Sequence, residues 1–275
     1  MGDGMTVSLQ ELRRTIAGLE RRTGRGGKGL REKEEKEPWR LGLAELEAHL
    51  PGGALPRDGL VELAATGARD AGAAVGFSLA LLARLPAGSA RRDILWCQTA
   101  AAAQEYGALY LPGFAPFALA PGRLVKLCAR RRTDILWAAE EGLRSGALAA
   151  VVAEGAPADL TASRRLALAA GETRTPCLLL DPQGGGLARA ASQRWRIAAA
   201  PSGPNALDPR ASGERRWEVE LLHARGGRPG TWKLAWDDEA HSFRLAAGAR
   251  DREMEARPRL DREGAEPSVL VAFRG

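Results

Sequence analysis

The feature that most constrains this chain is an alternation running from Leu60 to Asp181. Short apolar runs, "LVELAA" (60–65), "DILWC" (93–97), "RLVKLCA" (123–129), "ALAAVVAE" (147–154) and "TPCLLLD" (175–181), are separated by helical stretches. Those stretches are Ala73 to Leu85, "TAAAAQEYGALY" (99–110), "TDILWAAEEGLRSG" (133–146) and "TASRRLALAAG" (161–171). Continuous apolar strands joined by crossovers of this length predict a parallel sheet buried on both faces by helices. Thr133 and Asp134 suit a helix start and Gly146 a helix end. Such sheets take ligands at the carboxyl ends of their strands.

The first strand is followed by "GARDAGAAVGF", Gly67 to Phe77, in which Gly67 and Gly72 stand five apart before a helix. Glycine makes up 33 of 275 residues, so the spacing alone carries little. The context carries more, because backbone N–H groups at a helix N-terminus after a buried strand can cradle phosphate. On the residues alone the segment reads either as an ancestral phosphate loop or as an ordinary strand-to-helix turn. Phosphoryl transfer needs a lysine on the β- and γ-phosphates and a hydroxyl on Mg²⁺; Ala73 and Ala74 occupy those positions. Lys126 and Lys233 lie far from the loop in sequence and are not expected to replace the lost cation. Glu154, which ends its strand beside Gly155, reads as an exposed carboxylate.

Past Gly186 the pattern turns all-β: "RWRIAAA", "RRWEVELLHA", a turn through Gly226 to Gly230, "TWKLAWD" and "SFRLAA" predict an antiparallel extension. Trp195, Trp217, Trp232 and Trp236 alternate with apolar neighbours there and are expected to pack rather than stack on bases. Toward the other end, Leu9, Leu12, Ile16 and Leu19 space an amphipathic helix within Val7 to Glu20. A Gly-rich, charge-dense stretch tethers it, and a further short helix is expected around Leu43 to Leu50. The organisation expected is therefore 1–38 as N-terminal helix and charged linker, 39–247 as the α/β domain with its β extension, and 248–275 as a disordered tail with a small apolar patch at Val269 to Phe273.

With 45% hydrophobic residues the chain can build a large core, and a formal net charge of +6 allows nucleic acid or an acidic protein as partner. Arg130, Arg131 and Arg132, at a strand end, could meet a phosphate backbone or form a solvated turn; Arg225 and Arg228 flank the late hairpin turn. His49, His223 and His241 are dispersed, so neither metal binding nor histidine-based nucleophilic catalysis is expected. Cys97, Cys128 and Cys177 read as buried thiols, and no apolar run reaches the ~20 residues of a membrane span. A cytoplasmic protein without membrane contact is expected.

The stretch "LPGGALPRDGLVELAATGARDAGAAVGFSLALLARL" resembles the first strand, loop and helix of the RecA family. The wider pattern, with "ARRRTDILWAAEEGLRSGALAAVVAE", "ADLTASRRLALAAG" and "RWEVELLHARGGRPGTWKLAWDDEAHSF", resembles the ImuA family over roughly Leu41 to Leu245. That resemblance implies a RecA-like α/β fold and an accessory role in bacterial damage-induced mutagenesis. The implied partners are an ImuB-like inactive Y-family polymerase relative, RecA and an error-prone C-family polymerase, with DNA contacted directly or through them. It also implies that Gly67, Gly72, Ala73 and Ala74 are a degenerate nucleotide loop, with Gln98 and Thr99 where relatives carry an acid. No catalytic residue, metal or cofactor is then expected, and at most weak ATP binding. Glu154 matches the acidic residue that closes a Mg²⁺-supporting strand, and Arg225 and Arg228 fall where RecA-like subunits meet neighbours. The rivals are a DNA-stimulated ATPase with a non-standard loop and a SulA-like inhibitor of FtsZ.

Overall fold

The structure is a computed structural model that describes residues 6–7, 9–23, 37–89, 92–185, 190–203, 205, 208 and 210–246. Its centre is one ten-stranded sheet. In chain order the strands are β1 (Thr6–Val7), β2 (Leu60–Ala65), β3 (Ile94–Thr99), β4 (Leu124–Ala129), β5 (Ala150–Glu154), β6 (Cys177–Asp181), β7 (Gln193–Ala199), β8 (Arg216–Ala224), β9 (Gly230–Asp237) and β10 (Ser242–Leu245). Across the sheet they run β1-β4-β3-β5-β6-β2-β7-β8-β9-β10. Pairing is parallel from β1 to β7 and antiparallel from β7 to β10. The mixed α/β class, with a mostly parallel sheet and a C-terminal antiparallel extension, is thus observed.

The helices are α1 (Leu9–Thr23), α2 (Ala44–Glu47), α3 (Ala71–Ala83), α4 (Ala100–Tyr106), α5 (Arg132–Arg144) and α6 (Leu160–Thr173). They divide between the two faces because β2, β3, β5 and β6 are buried along their whole length. On one face α3 packs over β2, β6 and β7, and its Phe77 and Leu81 meet Trp195, Trp217 and Phe243 in a single core cluster. On the other face α5 and α6 bury Ile135, Leu143 and Leu166 against Leu95, Val151 and Leu179. Leu12, Ile16 and Leu19 of α1 join that second cluster, and Arg13 lies 4.7 Å over the Trp137 ring of α5. The N-terminal helix therefore caps its own sheet face.

Several sequence expectations are corrected. β7, expected to begin the antiparallel extension, pairs in parallel with β2, Leu63 opposite Trp195. Its alternation misleads because Arg194, Arg196 and Ala198 sit on a side that joins neither core cluster, so one face looks solvated. The helix expected over Leu43 to Leu50 shrinks to α2, since Pro51–Gly53 turns the chain with Gly52 and Gly53 at positive φ. α4 stops at Tyr106 because Gly107 adopts φ +96°. α5 starts at Arg132 without a side-chain cap, and Thr133 and Asp134 lie inside it. The charged stretch 24–36 and the tail 248–275, including the Val269 to Phe273 patch, lie outside the described residues.

Candidate binding cleft at the carboxyl edge of the sheet

The loop after β2 departs from a phosphate cradle. Thr66 is tied to the end of β7, its N–H and hydroxyl both donating to Ile197 O at 2.9 and 3.2 Å. Ala68–Asp70 then form a 3₁₀ turn that runs straight into α3, Asp70 N–H donating to Gly67 O at 2.8 Å. Gly67 has φ −176°, an extended backbone that any residue adopts, and Gly72 is not at positive φ. A Cβ built on Gly67 or on Gly72 would meet nothing within 4 Å. Neither glycine is thus required by its backbone conformation or by the surrounding protein atoms. The Asp70 carboxylate, at the head of α3, accepts a hydrogen bond from Ala199 N–H at 2.9 Å, so the positive end of this helix already faces an acid.

Ala73 and Ala74 diverge: Ala74 is fully buried in the core under α3, whereas Ala73 is half-buried and lines a cleft. That cleft, of about 540 Å³, opens over the first turns of α3 at the carboxyl ends of β3 and β5. Its walls are largely apolar and come from stretches far apart in the chain. Val75 and Leu79 belong to α3, Leu109, Phe114 and Phe117 to the segment after α4, and Trp217 to β8.

The floor is polar and acidic. Glu154, at the end of β5, is 1% exposed and accepts hydrogen bonds from Trp96 Nε1 at 2.7 Å and Gln98 Nε2 at 3.1 Å. The expectation of an exposed strand-end carboxylate is overturned: Trp96 and Gln98 share Glu154's face of the sheet on neighbouring β3, where Gln98 pairs in register with Glu154. Burial pushes the Glu154 carboxyl above its ordinary range, while the two hydrogen bonds and the Lys126 charge pull it back. Gln98 also donates to Gly107 O at 3.1 Å, and its Oε1 has no hydrogen-bond partner. Gly155 follows in a left-handed conformation (φ +68°), and a Cβ there would approach Ala102 Cβ to 2.6 Å and Thr99 Oγ1 to 2.7 Å. Glycine is needed at this position.

The rim carries two cations that the sequence did not single out, Arg215 just before β8 and Arg216 at its first position. Both are engaged. Arg215 Nη1 reaches both oxygens of Asp238 at 2.5 and 2.7 Å, with its guanidinium 5.5 Å from the centre of the Phe117 ring. Arg216 pairs with Glu214 at 3.1 Å. Their only sequence signal is the doubled arginine of "GERRWEVE", which becomes meaningful once β8 is placed beside β7.

The other candidates lie apart. Arg130 and Arg131 are exposed between β4 and α5, and Arg132, exposed at the first position of α5, lines a smaller hollow of about 230 Å³ with Trp137, Asp159 and Arg165. Arg225 and Arg228 are exposed in the β8–β9 turn, beside the amino end of β7 and so at the opposite edge from the cleft. Their backbone N–H groups donate to Ser192 O and His49 O. Lys126 is half-buried on β4, and Lys233 is exposed on β9. Glu105 is exposed and accepts from the Tyr106 hydroxyl at 2.8 Å. The four tryptophans of the extension are all buried, as expected. Burial pushes the Cys177 thiol up to about 12 and the Cys97 thiol higher still, which makes both inert as nucleophiles. Among the described residues no cluster of His, Cys, Asp or Glu could hold a metal ion, and no helix is long and apolar enough to cross a membrane.

Fold and cleft together define a mixed α/β protein whose ligand-binding edge holds an apolar cleft over a buried acid. The chain is 34% identical over 230 residues to Protein ImuA of Caulobacter vibrioides, both in strain NA1000 / CB15N and in strain ATCC 19089 / CIP 103742 / CB 15. Each alignment covers 78% of this chain and 91% of the relative. No family model matches the sequence. The chain belongs to the ImuA family.

Proposed function

We propose that this chain is a non-catalytic accessory protein of DNA-damage-induced mutagenesis, acting within an ImuA/ImuB cassette as an adaptor between proteins. Membership of the ImuA family supports the cassette role. The adaptor reading rests on one observation: the edge of the sheet where an α/β protein of this topology takes ligands carries a buried carboxylate at its floor, with alanines at positions 73 and 74. Phosphoryl transfer depends on preorganised positive charge, and each lost group of that kind costs about 2.7 to 4 kcal/mol. On this reading Gly67, Gly72, Ala73 and Ala74 are the remnant of a nucleotide loop, ATP binding is weak at most, and turnover is absent.

ImuB, RecA and the error-prone polymerase are the proposed partners. Arg130, Arg131 and Arg132 are the proposed contact for DNA or an acidic protein surface, and Arg225 and Arg228 for a neighbouring protein. The test is capture of purified ImuB and RecA from the same organism by the full chain and by truncations lacking residues 1–36 or 248–275. Capture of ImuB by the full chain is the expected result. Failure of every form to bind any of these proteins removes the adaptor role.

A further inference from the structure

The floor of the cleft has hydrogen-bond acceptors in excess. Both donors that reach Glu154, Trp96 Nε1 and Gln98 Nε2, are neutral. Lys126, the cation that acts on it, stands on β4 beyond β3 and makes no ion pair with it. Gln98 spends its amide N–H groups on Gly107 O and Glu154, which leaves Gln98 Oε1 buried and unpartnered. A buried acceptor without a donor and a buried carboxylate without an ion pair both carry a free-energy cost that a donating, cationic ligand reduces.

The walls narrow the choice of cation. Phe114, Phe117 and Trp217 border the cleft, and the Phe117 ring already carries the Arg215 guanidinium; an aromatic lining favours a flat, weakly hydrated cation over a compact ammonium. A guanidinium also carries five N–H donors and no acceptor, matching a floor short of donors. A phosphate-bearing ligand would instead bring negative charge toward Glu154. The rim arginines are partly neutralised, Arg215 by Asp238 and Arg216 by Glu214, which Arg244 shares. A volume of about 540 Å³ exceeds one arginine side chain, and Tyr110, 71% exposed, stands at the mouth as an apolar platform with nothing over it among the described residues.

We propose that the cleft receives an arginine side chain presented by a partner protein on an extended segment or loop, with a neighbouring apolar residue of that segment covering Tyr110. The arginine would point down the aromatic walls toward Glu154 and Gln98. This deepens the adaptor reading and rests on it only in taking the occupant to be a protein segment.

The test uses the full chain and a fluorescein-labelled, end-capped Phe-Arg-Leu peptide, with the same peptide carrying neutral citrulline in place of arginine, followed by anisotropy. The wild-type protein is expected to prefer the arginine peptide by about tenfold or more. In a Glu154→Gln variant with unchanged circular dichroism that preference should vanish. Tyr110→Ala should weaken both peptides alike. Equal binding of the two peptides, or no binding of the arginine peptide at millimolar protein, overturns the proposal, and the wild-type comparison suffices even if Glu154→Gln fails to fold. Displacement of the peptide by Mg·ATP that strengthens in Glu154→Gln overturns it too, in favour of a nucleotide site. Capture of ImuB by a protein that does not discriminate the peptides sinks this inference and leaves the adaptor role standing.

Discussion

Two parts of the same sheet edge, the loop from Gly67 to Ala74 and the floor around Glu154, have been built under opposite constraints. In the loop little is specified, because both glycines have open space and neither is at positive φ. At the floor nearly everything is: Glu154 is held by two side chains of β3, and Gly155 is fixed both by its backbone conformation and by Ala102 and Thr99 against it. A loop that gripped phosphate would be the demanding part of the edge. Here the demand has moved to the floor, where the chemistry offered is acceptance of positive charge.

Substitutions at the two places should therefore differ sharply, and the contrast can be broken at either end. The largest effect is expected for Gly155→Ala, which places a methyl in a left-handed backbone and 2.6 Å from Ala102 Cβ. A loss of about 3 kcal/mol is expected from strain and overpacking, read from the urea midpoint. Trp96→Phe removes the shorter hydrogen bond to Glu154 and should cost about 1–3 kcal/mol in the same measurement. A loss near zero would mean that the floor is not the constrained part.

Glu154→Gln should act in the other direction, and its sign depends on pH. Burial raises the folded-state pKa of Glu154 above its unfolded value. Its favourable contribution is then fully present below the unfolded value and fades as pH rises through the raised one. Neutral glutamine escapes that loss. The variant should match wild type near pH 4 and exceed it at pH 8. Thermal melts at the two pH values check this; a variant less stable at pH 8 than at pH 4, relative to wild type, contradicts the burial assignment. The smallest effect belongs to Gly72→Ala. Alanine fits there without contact and should leave stability unchanged or raise it by about 0.4–1 kcal/mol.

The same contrast explains what could be read from the residues. The strands β2, β3, β5 and β6 were legible because a strand buried on both sides is mostly apolar, as Leu60–Ala65 and Cys177–Asp181 are apart from Glu62 and Asp181. The alanines at positions 73 and 74 were legible because they are local facts of the sequence. The cleft was not. Its acid is gripped by residues 58 and 56 positions away in the chain, and its walls join α3 to a segment after α4 and to β8. Only the crossing of β7 to lie beside β2 brings the antiparallel extension to that edge. β7 itself hid that crossing, because one of its faces carries Arg194 and Arg196, as a strand of a half-solvated sheet would.

On the adaptor reading this edge does not support triphosphate chemistry, and single-turnover hydrolysis of γ-labelled ATP by the full chain with Mg²⁺ and single-stranded DNA probes that reading. No phosphate release above the protein-free rate is expected. Release that DNA stimulates and that Glu154→Gln abolishes would contradict it, because Glu154 would then be supporting a reacting phosphate.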